Sequence, residues 1–238
     1  MAEFIGETIV GIRELLTQGF RSLPVILGNA ILVLGLAQGN FNLLFFFVGM
    51  FILTPVAVIL ANALFELLFA NILPDSFQSF WLVANAGAPQ CAIFTVGETA
   101  NFALNGVPSL WMTMMAFFFS YLMVNAYELY NKATNSKAPK AATDARKSQA
   151  IMSMVVVGVT ALLFTILRYG SSCETAIGVL VSGLLGYGLA KGWFDFMRNC
   201  GMGRLDDIFG ISNRILPLQS YESPTQVTCM EVPQSTAS

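Results

Sequence analysis

The sequence predicts an all-α, polytopic transmembrane helix bundle, and three observations carry that prediction. Of 238 residues, 55% are hydrophobic and only 11% are charged, whereas a soluble domain carries roughly a quarter charged residues. From Ser22 to Phe65 there is no charged side chain, a run more than twice the roughly 20 residues that cross a bilayer core. Further apolar segments of spanning length follow, separated by charged or turn-forming stretches. The expected organisation is an interfacial helix over residues 1–21, a bundle over 22–200 and a flexible tail over 201–238.

At the N-terminus, Ala2, Ile5, Ile9, Ile12 and Leu16 recur every three or four positions, opposite Glu3, Glu7 and Arg13. That stripe predicts an amphipathic helix lying in the membrane interface. The charges, and the lack of a long apolar core with a small-residue cleavage site, argue against a secretory signal, so the segment is read as mature chain. The uncharged run that follows must hold two spans. Ala37-Gln38-Gly39-Asn40 is the turn-like break, leaving Leu23 to Leu36 as a short first span and Phe41 to about Asn62 as the second, with a kink expected at Pro55. Glu66 falls near the interface by residue count, which favours an anchoring role over an intramembrane functional one.

Ser76 to Gly97 is uncharged but contains Gln78, Ser79, Asn85, Gln90, Gly87 and Pro89, so it reads either as a span or as a re-entrant dip. A crossing gives six spans and a cytoplasmic N-terminus, in keeping with Arg13 and Arg21. A dip gives five. Leu110 to Tyr127 is a clear span, with Tyr127 and Tyr130 as interfacial aromatics. Asn131 to Ala150 holds Lys132, Lys137, Lys140, Arg146 and Lys147 against Asp144 alone, which places the loop 131–150 in the cytoplasm. Ile151 to Leu167 leaves it, Arg168 to Glu174 forms a short outer turn, and Thr175 to about Phe194 returns. Lys191, Arg198, Arg204 and Arg214 then put the C-terminus on the cytoplasmic side as well. Gly178, Ser182, Gly186 and Ala190, four residues apart, place small side chains on one face of the last helix for close helix packing.

The same composition restricts chemistry. There is no histidine, which removes the usual neutral-pH acid/base, the imidazole ligand and the Ser-His pair. Cys91, Cys173, Cys200 and Cys229 lie far apart without zinc-ligand spacing and are expected to be isolated thiols. Neither a metal nor a cofactor is expected. A net charge of −2 offers no nucleic-acid surface.

Two segments expected at the non-cytoplasmic face, Pro108 to Trp111 and Arg168 to Gly178, together with Trp81 to Pro89, have an order and spacing similar to the three motifs of the type 2 phosphatidic acid phosphatase superfamily. Those motifs are Lys-x6-Arg-Pro, then Pro-Ser-Gly-His opening a helix, then Ser-Arg-x5-His-x3-Asp. Here Trp81 precedes Ala88-Pro89, Pro108-Ser109-Leu110-Trp111 opens a span, and Leu167-Arg168 is followed by Glu174 and Gly178. The resemblance covers the later spans and implies a six-span fold. It also implies that nearly every working group is gone, since the imidazole that would take the phosphoryl group and the one that would protonate the leaving group are replaced by Glu174 and Trp111, and the orienting aspartate by Gly178. Arg168 and Ser109 remain as phosphate-contact types, and an Arg168–Glu174 ion pair is expected to neutralise the vestigial pocket of Trp81, Pro89, Pro108, Ser109, Trp111, Arg168 and Glu174. The resulting expectation is a non-catalytic multi-pass membrane protein, a pseudoenzyme with a structural or scaffolding role. The alternative is a phospholipid headgroup-binding protein using that pocket, with a transporter or an active enzyme behind both. The run from Pro108 to Tyr121, with Asn125-Ala126 and Tyr130-Asn131, also resembles a segment in multi-span membrane proteins of large DNA viruses, which implies a virion inner membrane, with membrane lipids and capsid or other membrane proteins as partners.

Overall fold

A computed structural model of the chain describes residues 18–69, 91, 107–131 and 140–200, and these are helical with no strand among them. Among the described residues, four helices are long and apolar enough to cross a bilayer, so the chain is an integral membrane protein. Residues 18–21 are helical, and helix α1 (Leu23–Gln38) opens with Pro24 in its first turn, where the missing N–H costs nothing. It closes at Gly39, whose φ of 59° is the left-handed conformation that glycine adopts without a Cβ penalty. The Gly39 and Asn40 amides bond back to the Leu36 and Gly35 carbonyls at 3.2 and 2.9 Å, the Schellman arrangement. Asn40 then caps the next helix by accepting from the Asn42 amide at 3.0 Å. The four-residue break expected from the sequence is thus one turn that ends one helix and starts another.

Beyond it, α2 (Phe41–Val48), a π-helical turn (Gly49–Leu53) and α3 (Thr54–Phe69) follow without a gap, and Phe41–Phe65 is long enough to span. The irregularity expected at Pro55 sits just before it, as the widened turn, which relieves the clash a proline ring makes with the preceding helical turn. The Thr54 hydroxyl donates to the Gly49 carbonyl at 3.0 Å. At the same place Trp193 of the last helix donates its indole N–H to the Phe45 carbonyl at 3.1 Å, and its ring occupies the space a Cβ on Gly49 would need.

The hub is α4 (Leu110–Asn131). Its most apolar window is 67% buried, against 6% for that of α5 (Lys140–Gly170). α5 and α6 (Ala176–Asn199) both pack on α4 and barely on one another, while α3 and the π-helical turn pack on another side of α4. Phe46, Met50, Phe117, Tyr121 and Phe194 form the fully buried centre, with Phe46 and Tyr121 rings 4.7 Å apart; such pairs contribute about 0.5–1.5 kcal/mol beyond burial. Large apolar side chains also face outward, among them Val33, Leu60, Val159, Leu162, Leu180 and Leu184, the inverse of a soluble surface and suited to lipid.

Two boundaries differ from expectation. The basic segment 131–150 is helical from Lys140 onward, because Ala141 to Ala150 lacks glycine and proline and continues the span that follows. Arg168 belongs to the last turn of α5 rather than to the outer turn. The proposed interfacial helix up to residue 17, the segment Ser76 to Gly97 apart from Cys91, and the tail 201–238 lie outside the described residues.

Candidate functional site: a buried Ser–Glu–Arg cluster

The start of α4, the end of α5 and the start of α6 meet at one end of the bundle. Ser109 is the residue before α4, and its hydroxyl accepts from the Met112 amide at 3.3 Å, satisfying one of the orphan donors of a helix start. The same hydroxyl donates to Glu174 Oε1. The Ser109 amide donates to Ser182 Oγ of α6 at 3.0 Å. The residue chosen from sequence as a small packing position therefore also supplies a polar contact between helices. Thr175 caps α6 by accepting from the Gly178 amide at 3.0 Å. Gly178 leaves room for the carboxylate, since a Cβ there would stand 3.2 Å from Glu174 Oε2.

Arg168 lies against this pair, with Nε 3.5 Å from Glu174 Oε1. Its Nη2 donates to the Cys91 carbonyl at 2.7 Å, and the guanidinium stands 4.8 Å from the Trp111 ring centre, a cation–π contact. Trp111 in turn donates its indole N–H to the Arg21 carbonyl at 3.1 Å, and its ring meets Phe20 at 5.0 Å. Arg168 and Glu174 are each 3% exposed. Burial pushes the Glu174 carboxyl above its ordinary range, while the Ser109 hydrogen bond and the Arg168 charge pull it back.

Cys91 and Cys173 form a disulfide across 82 residues of sequence, which corrects the expectation of isolated thiols; Cys200 is free and exposed. The pairing joins Cys91 to the turn between Arg168 and Glu174, a contact that the spacing of the cysteines does not announce. The contacts of Phe20 and Arg21 with Trp111 had no sequence signal.

Of the residues singled out from sequence, Ser109, Trp111, Arg168 and Glu174 converge here, with Pro108 buried beside them. Gly178, Ser182, Gly186 and Ala190 are all buried on α6. Trp81 and Pro89 lie outside the described residues. Nearby, a cleft of about 360 Å³ opens between α5 and α6 over α4, lined by apolar side chains including Trp111, Met115, Phe119, Phe164 and Leu184. Ser109, Arg168 and Glu174 do not line it. Among the described residues no group of three His, Cys, Asp or Glu side chains is placed to hold a metal. Comparison with protein-family models, curated proteins and solved structures finds no match.

Proposed function

We propose that this chain is a non-catalytic multi-pass membrane protein whose role is structural, and that the Ser109–Glu174–Arg168 cluster is a lock holding three helix ends together. The observation that carries this reading is internal neutralisation. The arginine that the phosphatase resemblance would assign to phosphate is buried against a carboxylate, a carbonyl and an indole face. An incoming phosphate would have to displace Glu174 or share Arg168 with its negative charge, so the headgroup-binding reading fits this geometry less well. The absence of histidine removes the nucleophile that the resembling family uses. Protein reconstituted in lipid and given phosphatidic acid or diacylglycerol pyrophosphate is expected to release no phosphate above background. Metal-independent release that disappears in Arg168→Ala overturns the proposal.

The same reading puts the cluster at the non-cytosolic end and the basic end of α5 in the cytosol. Two independent features support that orientation: disulfides persist in oxidising compartments, and lysine and arginine concentrate in cytosolic loops. Cys200, just past α6, is a built-in reporter. In Cys229→Ser protein expressed at a cell surface, an impermeant maleimide is expected to leave Cys200 unlabelled until the cells are permeabilised. Labelling of Cys200 on intact cells reverses the orientation.

A further inference from the structure

We propose that the Cys91–Cys173 disulfide is an oxidative latch for the charged cluster: its formation is what seats the Cys91 carbonyl on Arg168. Arg168 and Glu174 are near neighbours in sequence, and the turn between α5 and α6 brings them together. Cys91 is different. It lies 77 residues before Arg168, yet it is 7% exposed and supplies the acceptor for Nη2. A single hydrogen bond to a carbonyl contributes only about 0.5–1.5 kcal/mol, somewhat more to a charged donor. The covalent bond to Cys173, which sits 1% exposed in the turn between Arg168 and Glu174, fixes the Cys91 backbone beside the guanidinium. Without the latch, Nη2 loses its acceptor and the guanidinium keeps Glu174 on one side and Trp111 on its face.

The chemistry assigns a partner class. As the Sγ–Sγ bond forms, the thiols of Cys91 and Cys173 give up two protons and two electrons; a protein disulfide oxidant takes them and ends as a dithiol, through a mixed-disulfide exchange. Cys200, at the opposite end of α6, stays reduced. The proposal goes beyond the structural role above and stands or falls separately, because its readouts are the state of two thiols and the reactivity of one arginine.

The test is phenylglyoxal modification of Arg168 in the full chain in detergent, read by peptide mass spectrometry, after extraction under alkylating conditions. Cys91 and Cys173 are expected to escape alkylation until reduced, and Arg168 is expected to resist phenylglyoxal. Reduction of the folded protein, and separately Cys91→Ser, are expected to raise Arg168 modification several-fold, while Cys200→Ser changes nothing. If Cys91→Ser does not accumulate, the reduction arm decides. Free thiols at Cys91 and Cys173 in the freshly extracted protein, or equal protection of Arg168 with and without the bond, overturn the latch.

Discussion

Arg168→Ala is expected to destabilise the bundle by about 3–5 kcal/mol, the cost of leaving one member of a buried ion pair without its partner. The loss arises on the Glu174 side. With Arg168 gone, the carboxylate keeps the Ser109 hydroxyl but has no opposing charge among its contacts, and it is 3% exposed. Glu174→Ala should cost a comparable amount for the mirror-image reason, leaving a guanidinium with a carbonyl and an indole face. Replacing both with apolar residues of similar volume, Arg168→Met with Glu174→Leu, is expected to recover most of the loss, because neither charge then needs solvating. Unfolding free energies of the parent, Arg168→Ala, Glu174→Ala and the Arg168→Ala/Glu174→Ala double variant in the same detergent close the cycle that gives the coupling energy. Additive single losses would show that the two side chains act independently, and the lock assigned to this cluster would not exist. A neutral Arg168→Ala would remove it more simply.

The readable and unreadable parts of this chain divide by the range of the interactions that set them. The membrane class follows from composition, and the break at Gly39-Asn40 follows from local backbone chemistry, a left-handed glycine followed by a side-chain cap. The small-residue stripe was readable because period four is a property of one helix. The Arg168–Glu174 contact was legible for a related reason: six residues apart across a tight turn, the two have few other places to go. Cys91 with Cys173 was not, because no local rule relates residues 82 apart; the pairing needed a topology in which both sit at one membrane face. The π-helical turn at Gly49–Leu53 was displaced from the expected position at Pro55 because a proline disturbs the turn before it, not its own. Of α4 and α5, the spanning part of α5 is the more apolar, in keeping with a helix that faces lipid on most sides. Which one is surrounded depends on the other helices.

Gly186 is where the second large effect is expected. A Cβ added there would lie 2.6 Å from Ala116 Cβ, 2.7 Å from the Thr113 carbonyl oxygen and 2.9 Å from the Phe117 amide nitrogen. Two of those atoms are α4 backbone, which cannot rotate aside, so the helices must separate. Overpacking of this kind costs about 1–3 kcal/mol and sometimes more, and in a bilayer there is little hydrophobic drive to hold separated helices together, since lipid is as apolar as the side chains. Gly186→Leu is therefore expected to lower the unfolding midpoint sharply. Gly183→Ala and Gly192→Ala, at positions where a Cβ meets nothing within 4 Å, should leave it unchanged or raise it through the roughly 1 kcal/mol helix-propensity gain over glycine. The contrast matters because Ser182 is one turn from Gly186 and accepts from the Ser109 amide. Forcing α6 off α4 at Gly186 should stretch that bond and loosen Ser109 from Glu174, so the Gly186→Leu cost should shrink when Glu174 has already been replaced. Equal cost in both backgrounds would mean that the α4–α6 seam and the charged cluster are held by separate parts of the bundle.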